Sequence, residues 1–311
     1  MNGSMWWPIA LMNLLLVLLL SPLLEGVIRK LKAKIHSRKG PPIIQPYLDL
    51  LKLLGKEELR STQSFYFRIA PVAALAAILV AALLVPMGGG SPLGFGGDAI
   101  AFLYFFSLSA VVIMLGGFAT GSPYAAVGGS REMMMMLTVE PVLAIALVTA
   151  AVKARTLELG AMSAHIADGG FAISLGVAAV AGFLALQAQL GKLPFDIPEA
   201  DQEIMEGPFI ETSGPGLALF RLSFFARQLV LGSLLIQIFV PWPQFDLLPI
   251  NAALHVGVHV ALNLVKVFVV IILVGLIDAV VPRLRIDQSM NYFKYVIAVA
   301  LFALGFALIG Q

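Results

Sequence analysis

The sequence has 311 residues, of which 59% are hydrophobic and only 12% charged, and its formal net charge is +2. A soluble globular chain carries about 25% charged residues, so this composition excludes a protein whose surface lies mostly in water. The absence of cysteine excludes disulfides and cysteine-ligated iron–sulfur clusters. We therefore expect this chain to bind no metal or redox cofactor, and we predict no nucleic-acid partner.

Apolar runs of bilayer length recur along the chain, and a membrane span needs about 20 such residues. They predict an all-α fold, a polytopic membrane protein with eight transmembrane helices in a single domain over residues 1–311. The first run lacks a preceding basic segment, which favours a retained helix over a cleaved signal peptide. The predicted spans are Met5–Ile28, Ile69–Pro86, Ala99–Phe118, Met133–Val152, Phe171–Leu190, Gly216–Val240, Ala252–Val281 and Tyr292–Ile309.

Basic residues mark one face of the membrane. Six Lys and Arg residues crowd the start of the first loop, residues 29–68, and Arg131, Arg283 and Arg285 lie in the third and seventh loops. Apart from Lys153 and Arg155, the remaining loops are nearly free of them. The positive-inside rule then predicts that the odd-numbered loops are cytoplasmic and that both termini lie outside the cell membrane.

The first loop also contains a predicted surface helix. After Gly40-Pro41-Pro42, apolar residues recur at helical spacing, and Pro46 suits a first helical turn. Such a helix lies on the membrane surface, and Leu50 and Leu53 widen its apolar face enough for protein to cover it as well. The apolar positions are Ile44, Tyr47, Leu48, Leu51 and Leu54.

The fifth loop, residues 191–215, is acidic, with Lys192 as its only basic residue. This composition breaks the positive-inside pattern. A freely solvated acidic loop is one interpretation, but interleaved apolar residues such as Phe195, Ile204 and Phe209 favour an ordered loop that fixes its carboxylates. Those carboxylates belong to Asp196, Glu199, Asp201, Glu203, Glu206 and Glu211.

Several charges lie within predicted spans: Glu140 in the fourth, Arg221 and Arg227 in the sixth, and Lys266 and Asp278 in the seventh. An isolated charge at bilayer depth costs at least about 2.5–3.5 kcal/mol, so these groups should be paired, protonated or in contact with water. Snorkelling from a helix end is an adequate explanation for Arg221, Arg227 and Asp278. It fails for Glu140, which we predict to be a proton-relay residue.

His255 and His259 lie four residues apart and share a helix face. Two histidines alone rarely form a metal site, so polar positions near the start of a helix are the favoured interpretation over a ligand pair.

Four segments together resemble the signatures of the membrane-anchor subunit of respiratory complex I, often called the H subunit. They are residues 38–57 (beginning Arg-Lys-Gly-Pro-Pro), 130–140, 193–203 (Leu-Pro-Phe-Asp-Ile-Pro-Glu) and 282–288 (Pro-Arg-Leu-Arg-Ile-Asp-Gln). In that family this membrane anchor joins the peripheral arm to the ion-pumping membrane arm. The predicted eight spans agree with the resemblance.

By matching position, the resemblance implies a cytoplasmic interface and an acidic funnel, with Glu140 continuing the polar path into the membrane. We add Arg131 and Arg285 to the interface, and Asp201, Lys266 and Asp278 to the ion-coupling set. The residues carried over are Arg38, Gln45, Asp49, Lys52, Asp196, Glu199, Glu203, Glu206, Glu211 and Arg283.

Departures from the pattern point to one branch of the family. Arg227-Gln228 stands where the quinone-reducing branch carries an acidic residue followed by Tyr, Asp278 replaces an arginine, and Thr212 replaces a Tyr. Glu206-Gly-Pro-Phe209 resembles the membrane-bound energy-converting hydrogenases, the formate hydrogenlyases and their sulfur-reducing relatives. We predict that Arg227 and Asp278 form a compensating charge pair and that the chamber no longer handles quinone.

The resemblance therefore implies a non-redox membrane subunit of a hydrogenase-like, ion-translocating oxidoreductase, not catalytic alone. Its expected partners are hydrogenase-like large and small subunits that carry iron–sulfur clusters and a NiFe centre, antiporter-like membrane subunits, and the lipid bilayer. One alternative is the quinone-chamber subunit of an NADH- or ferredoxin-quinone oxidoreductase. The other is an independent secondary transporter, which is disfavoured because the spans show no inverted repeat.

Overall fold

The computed structural model describes residues 6–59, 61–88, 90–198, 200–243 and 252–310, without the side chains of Trp6, Asp201, Gln202, Ala252 and Ala253. All regular elements within these ranges are helical. The helices are α1 (Trp6–Ile35), α2 (Gln45–Leu54), α3 (Phe65–Leu84), α4 (Asp98–Phe118), α5 (Pro123–Ala154), α6 (Leu159–Gly169), α7 (Ile173–Gln189), α8 (Asp201–Ile204), α9 (Gly214–Phe239), α10 (Ala252–Val280) and α11 (Ile286–Ile309), with a 3₁₀ turn at Gly207–Phe209.

Seven of these helices are long and apolar enough to cross a membrane: α1, α3, α4, α5, α9, α10 and α11. The eighth predicted span corresponds to α7, which has 17 residues and is therefore about 26 Å long. That length is slightly less than the hydrocarbon thickness of about 30 Å. The all-α polytopic fold is confirmed.

Helix α9 forms the centre of the bundle. In an apolar stretch of 18 residues within α9, 83% of the residues are buried, against 28% in the corresponding stretch of α11. It packs against α1, α3, α7 and α10 in the membrane and against α2 at the membrane surface. Small residues let neighbouring helices approach closely: a Cβ added to Gly116 of α4 would lie 2.7 Å from the Cβ of Ala70 of α3. The site residues on α9 are thus held inside protein.

Three helix boundaries were predicted wrongly. Helix α1 continues to Ile35, α5 begins at Pro123 and α11 begins at Ile286. A proline in the first turn after the extended Ser122 starts α5 early, and in the first turn of α11 the Arg285 N–H donates to Gln288 Oε1 at 3.5 Å. Hydropathy alone does not detect the polar beginnings of these helices. Arg131, which the sequence predicts to lie in the third loop, is therefore found on α5.

Helix α6, Leu159–Gly169, was not predicted. It lies in the loop between α5 and α7, where the Leu159 N–H donates to Asp98 Oδ1 at 2.6 Å. Trp242 Nε1 donates to the Ala167 carbonyl at 3.0 Å near its other end. Both contacts come from distant segments, which explains why local pattern missed the helix.

The surface helix α2 was predicted correctly, with Pro46 in its first turn. Pro46 and Leu50 are buried, and Leu50 packs with Phe225 of α9, whereas Leu48 and Leu51 are exposed. The apolar surface of α2 is thus divided between a face covered by protein and a face left for lipid or a partner.

The loops lie on two opposite faces of the bundle, because successive membrane spans run in opposite directions. On one face the Leu284 N–H of the seventh loop donates to the Pro194 carbonyl of the fifth loop at 3.0 Å. On the other face Lys153 Nζ donates to the Gly310 carbonyl at 3.1 Å. The described end of α11 therefore lies beside the loop after α5, on the face opposite the acidic loop.

Candidate functional site

The acidic fifth loop is tied to two arginines of neighbouring elements. Glu203 accepts from Arg131 Nη1 of α5 at 2.6 Å and from Arg283 Nη2 of the seventh loop at 3.2 Å. The hydrogen bond from Arg131, together with the charge of Arg283, lowers the pKa of Glu203 below its usual range. Glu203 is thus held as an anion that joins three segments of the predicted interface.

The loop is packed and ordered, as its apolar residues predicted. Phe195 and Ile197 are buried, and the Phe195 ring lies 4.9 Å from the ring of Phe293, centroid to centroid. Gly128 of α5 lets the loop approach: a Cβ there would meet Pro208 Cδ at 2.6 Å. The freely solvated alternative is wrong.

A second charged cluster joins the loop to α1 and α2. Glu25 of α1 is only 5% exposed and accepts from Lys192 Nζ at 2.9 Å and 3.0 Å and from Arg29 Nε at 3.2 Å. Arg29 also donates to Asp49 at 3.2 Å, and Gln45 donates to Asp49 at 2.9 Å. Glu25 is compensated by two cations, which a buried carboxylate requires.

A cavity of about 230 Å³ lies between this cluster and α9. Its wall includes a second ion pair, in which Arg221 Nη2 lies 3.4 Å from Glu206 Oε1. The wall therefore combines charged and aromatic side chains. Its charged and aromatic lining residues are Glu25, Arg29, Lys192, Glu206, Arg221, Phe209, Phe220, Phe224 and Phe225.

Deeper in the bundle lies Arg227 of α9, only 2% exposed. Its guanidinium lies 5.3 Å from the ring centroids of both Phe106 and Phe224, 3.3 Å from Ser109 Oγ and 4.0 Å from Glu132 Oε1 of α5. A cavity of about 20 Å³ adjoins Arg227 and Glu132, and Gly191 and Phe224 line both this cavity and the larger one. Arg227 thus lies behind the wall of the larger cavity.

Glu140 lies further along α5 and faces α4. It interacts with Ser107, and its Oε1 is buried without a hydrogen-bond partner among the described residues. Glu140, Ser107, Tyr104 and Pro141 line an outward-facing groove of about 420 Å³ between α4 and α5. Glu140 therefore stands between the interior of this chain and its lateral surface, the position that a relay to a neighbouring subunit needs.

The predicted pairing of Arg227 with Asp278 is wrong. Asp278 accepts from Lys32 Nζ of α1 at 3.1 Å and from the Leu193 N–H at 3.0 Å, whereas Arg227 contacts α4 and α5. Arg227 lies 13 residues, or about 20 Å, into α9, while Asp278 lies at the end of α10 beside the loops. The snorkelling interpretation also fails for Arg227, since protein covers it.

Lys266 does not join the other predicted coupling residues. Its Nζ donates to the Val240 and Pro241 carbonyls at 2.9 Å each, at the end of α9 opposite Arg221. Arg221 and Val240 are 19 residues, or about 28 Å, apart along the chain of α9. Lys266 thus provides hydrogen bonds to two carbonyl groups immediately after the end of α9.

The other predicted interface residues lie on the face of the acidic loop. Arg38, Lys52 and Arg285 are exposed there, and Asp196 and Glu211 are half-buried. Glu199 and the side chain of Asp201 lie outside the described residues.

Sequence reasoning left Glu25, Glu132 and Lys192 out of the predicted site. The spacing of Glu25 and Arg29, four residues apart near the end of an apolar span, is a signal that could have identified the first of them. Glu132 lies beside Arg131 in a segment that the sequence predicts to be a loop. Its position inside the bundle was therefore not predicted.

The fold and the site together define a polytopic helical membrane subunit with a charged surface at one end and a line of buried ionisable groups beneath it. The NADH dehydrogenase family matches the chain over residues 8–308, and the chain belongs to that family.

Similar proteins come from several kinds of complex. The chain is 33% identical to formate hydrogenlyase subunit 4 of Escherichia coli over 89% of this chain and 91% of the relative, and 34% identical to hydrogenase-4 component C of the same organism over 89% and 88%. It is 32% identical to NADH-ubiquinone oxidoreductase chain 1 of Triticum aestivum over 88% of each protein.

Among solved structures, a chain of the membrane-bound sulfane sulfur reductase, an archaeal respiratory membrane complex, superposes with a TM-score of 0.87 at 27% identity. The match covers 97% of this chain and 99% of that chain.

Proposed function

We propose that this chain is the non-redox membrane subunit of a hydrogenase-like, ion-translocating oxidoreductase complex. It anchors a peripheral electron-transfer arm of large and small hydrogenase-like subunits, whose iron–sulfur clusters and NiFe centre carry the electrons. Laterally it joins antiporter-like membrane subunits. The complex lies in the cell membrane, with the odd-numbered loops of this chain cytoplasmic and both termini outside.

The observation that carries the proposal is the line of ionisable groups from the loop surface into the bundle. It begins at Glu203 with its two arginines, passes the Lys192–Glu25 pair beside the larger cavity, and continues through Arg227 and Glu132 to Glu140. A chain that served only as an anchor would gain no stability from so many desolvated charges.

The coupling is electrostatic. Electron transfer in the peripheral arm changes the charge next to the acidic loop, which redistributes protons among Glu203, Glu206 and Glu211. The change reaches Glu140 through the buried groups and passes from there into the membrane arm. This chain contributes positions for protons and fixed charges, and it contributes no electron carrier.

The cavity of about 230 Å³ beside Glu25 and α9 favours a second candidate function, a chamber for a lipid quinone. Four phenylalanines offer stacking surface for a quinone ring. Against it, ion pairs occupy the polar wall, and Gln228 lines the cavity where the quinone-reducing branch carries Tyr. An independent transporter is disfavoured because the relatives are named as subunits or components.

Purification of the intact complex through a tag on this chain tests the proposal. We expect co-purification of metal-bearing hydrogenase-like subunits and reduction of a small soluble acceptor such as protons. Recovery of this chain alone, from membranes in which it is functional, would contradict the anchor role. Quinone reduction abolished by quinone-site inhibitors would replace the first candidate by the second.

A further inference from the structure

The basic end of α1 carries cations on two sides, and those on the side facing the bundle are compensated. Arg29 pairs with Glu25 and with Asp49, at 3.2 Å in each case. Lys32 Nζ lies 3.1 Å from Asp278 Oδ2 at the end of α10. These ion pairs hold α1, α2 and α10 together and account for the inward cations.

Three lysines on the outer side of the same segment are not explained in this way. Lys30, Lys34 and Lys39 are exposed, and none of them forms an ion pair with a carboxylate among the described residues. The chain turns back after α1, where the Arg38 N–H donates to the Ala33 carbonyl at 2.7 Å and Lys30 Nζ donates to the Lys39 carbonyl at 3.0 Å. The fold therefore gathers three exposed lysines at the end of α1.

These lysines continue an exposed apolar stripe of α1. Leu19 and Leu23 are 59% and 37% exposed, and their spacing to Lys30 and Lys34 places all four on one face of the helix. Lys30 lies seven residues, or about 10 Å, beyond Leu23. The headgroup layer of a bilayer is about 5–8 Å deep on each side, and a lysine side chain can bend back toward it. The ammonium group of Lys30 thus reaches headgroup height, while the leucines lie at the height of acyl chains.

We propose that Lys30, Lys34 and Lys39 form a binding site for the phosphate group of an anionic phospholipid, in the leaflet on the side of the acidic loop. The acyl chains of this lipid pack against Leu19 and Leu23. Lys30 uses one of its three N–H donors on the Lys39 carbonyl, which leaves two for a phosphate oxygen. A lipid is favoured over a soluble phosphate or an acidic protein segment because the charged and the apolar part of the stripe share one helix face. This inference is independent of the proposed ion coupling.

Native mass spectrometry of the purified complex tests the site, with phosphatidylglycerol as the probe and phosphatidylcholine of the same acyl chains as the neutral comparison. We expect phosphatidylglycerol to bind more tightly. Lys30→Gln and Lys34→Gln should each weaken its binding by about fivefold, the contribution of one lysine near an anionic surface. Lys34→Arg, which keeps the charge, should bind as the wild type does.

Lys294→Gln is the matched control, because it also removes one exposed lysine charge, near the start of α11. It should leave phosphatidylglycerol binding unchanged. Equal losses in Lys30→Gln and Lys294→Gln would show that net charge and not a site attracts the lipid, and would overturn the inference. If Lys30→Gln does not assemble, Lys34→Gln decides the question, since the Lys34 side chain makes no hydrogen bond within the part of the chain that the structure describes.

Two further measurements separate a lipid from other anions. Inorganic phosphate at the concentration of the lipid should not displace phosphatidylglycerol, and full displacement would contradict a lipid site. A photo-cross-linker placed at residue 34 of the complex in native membranes should attach to phospholipid. Cross-linking to a protein subunit instead would show that this surface contacts a partner and would overturn the inference.

Discussion

At the scale of single residues, the site depends on carboxylates that are held by more than one cation. Glu203 and Glu25 each bind two cations, and in both cases the cations come from different elements. Such an arrangement makes the geometry of the acidic loop depend on the charge state of a few side chains, and the proposed coupling acts on these side chains.

Glu203 gives a pH-dependent prediction. Its pKa is lowered in the folded chain from the usual 4.5, first through the hydrogen bond from Arg131. Its contribution to stability is therefore present above pH 4.5 and lost as the pH falls through the lowered value. Since the side chain is 51% exposed, the contribution is at most about 1 kcal/mol.

We expect the Tm of the wild-type complex to exceed that of Glu203→Gln at pH 7 and the difference to disappear well below pH 4.5. Asp168→Asn, an exposed acid on α6 at the opposite face, is the control. A difference in Tm that persisted unchanged in acid would show that the ion pairs do not hold the loop.

Metal content is a second prediction for individual side chains. The sequence contains no cysteine, and of its four histidines only His255 and His259 lie close together, so this chain should carry no stoichiometric iron or nickel when it is separated from its partners. Elemental analysis of the purified subunit checks this, and one iron or nickel atom per chain would refute it.

At the scale of elements, the position of the acidic loop depends on its contact with α5. Gly128 leaves no room for a side chain, because an added Cβ would lie 2.6 Å from Pro208 Cδ and 2.8 Å from Gly207 Cα. Gly128→Ala should therefore displace the loop and destabilise the complex by about 1–3 kcal/mol.

The measurement is thermal unfolding together with protease sensitivity of residues 191–213. Gly257→Ala on α10, where an added Cβ meets nothing within 4 Å, should be neutral or slightly stabilising. Equal effects of the two alanine substitutions would show that the helix–loop contact is not tight.

Topology can be tested with two labels, since the chain has no native cysteine. Ser37→Cys lies in the first loop and Leu93→Cys in the second, on opposite faces of the bundle. An impermeant thiol reagent applied to intact cells should label Leu93→Cys only. Labelling of both positions from outside would contradict the proposed orientation.

At the scale of the whole molecule, hydropathy predicted the seven helices long enough to cross a membrane and the shorter apolar helix α7, because a segment inside a bilayer must be apolar along its length. It misplaced the starts of α5 and α11, where a first-turn proline and the hydrogen bond from the Arg285 N–H to Gln288 begin the helix before the apolar run does. It missed α6 because Asp98 and Trp242 hold that helix from distant parts of the chain.

The site likewise has features that the local sequence predicts and features that depend on contacts between distant segments. Glu140 and the loop acids were identifiable because a carboxylate in an apolar span or a basic face stands out locally. The partners of Glu25, Arg227 and Asp278 depend on which helix faces α1, α9 and α10, and spacing within one helix contains no such information. The Arg227–Asp278 pair was predicted wrongly because these two departures from the family pattern have opposite charges, and the sequence does not show which helices face each other.

The central claim is that this chain couples a partner's redox chemistry to ion movement through Glu140. The most direct test is ion transport per electron by the purified complex in proteoliposomes, comparing wild type with Glu140→Gln and with the Asp168→Asn control. Glu140→Gln keeps the shape of the side chain and removes its titrating proton. We expect it to assemble and to retain electron transfer when the membrane is uncoupled, with coupled transport largely lost. Transport at the wild-type ratio in Glu140→Gln would contradict the account and return Glu140 to a structural role.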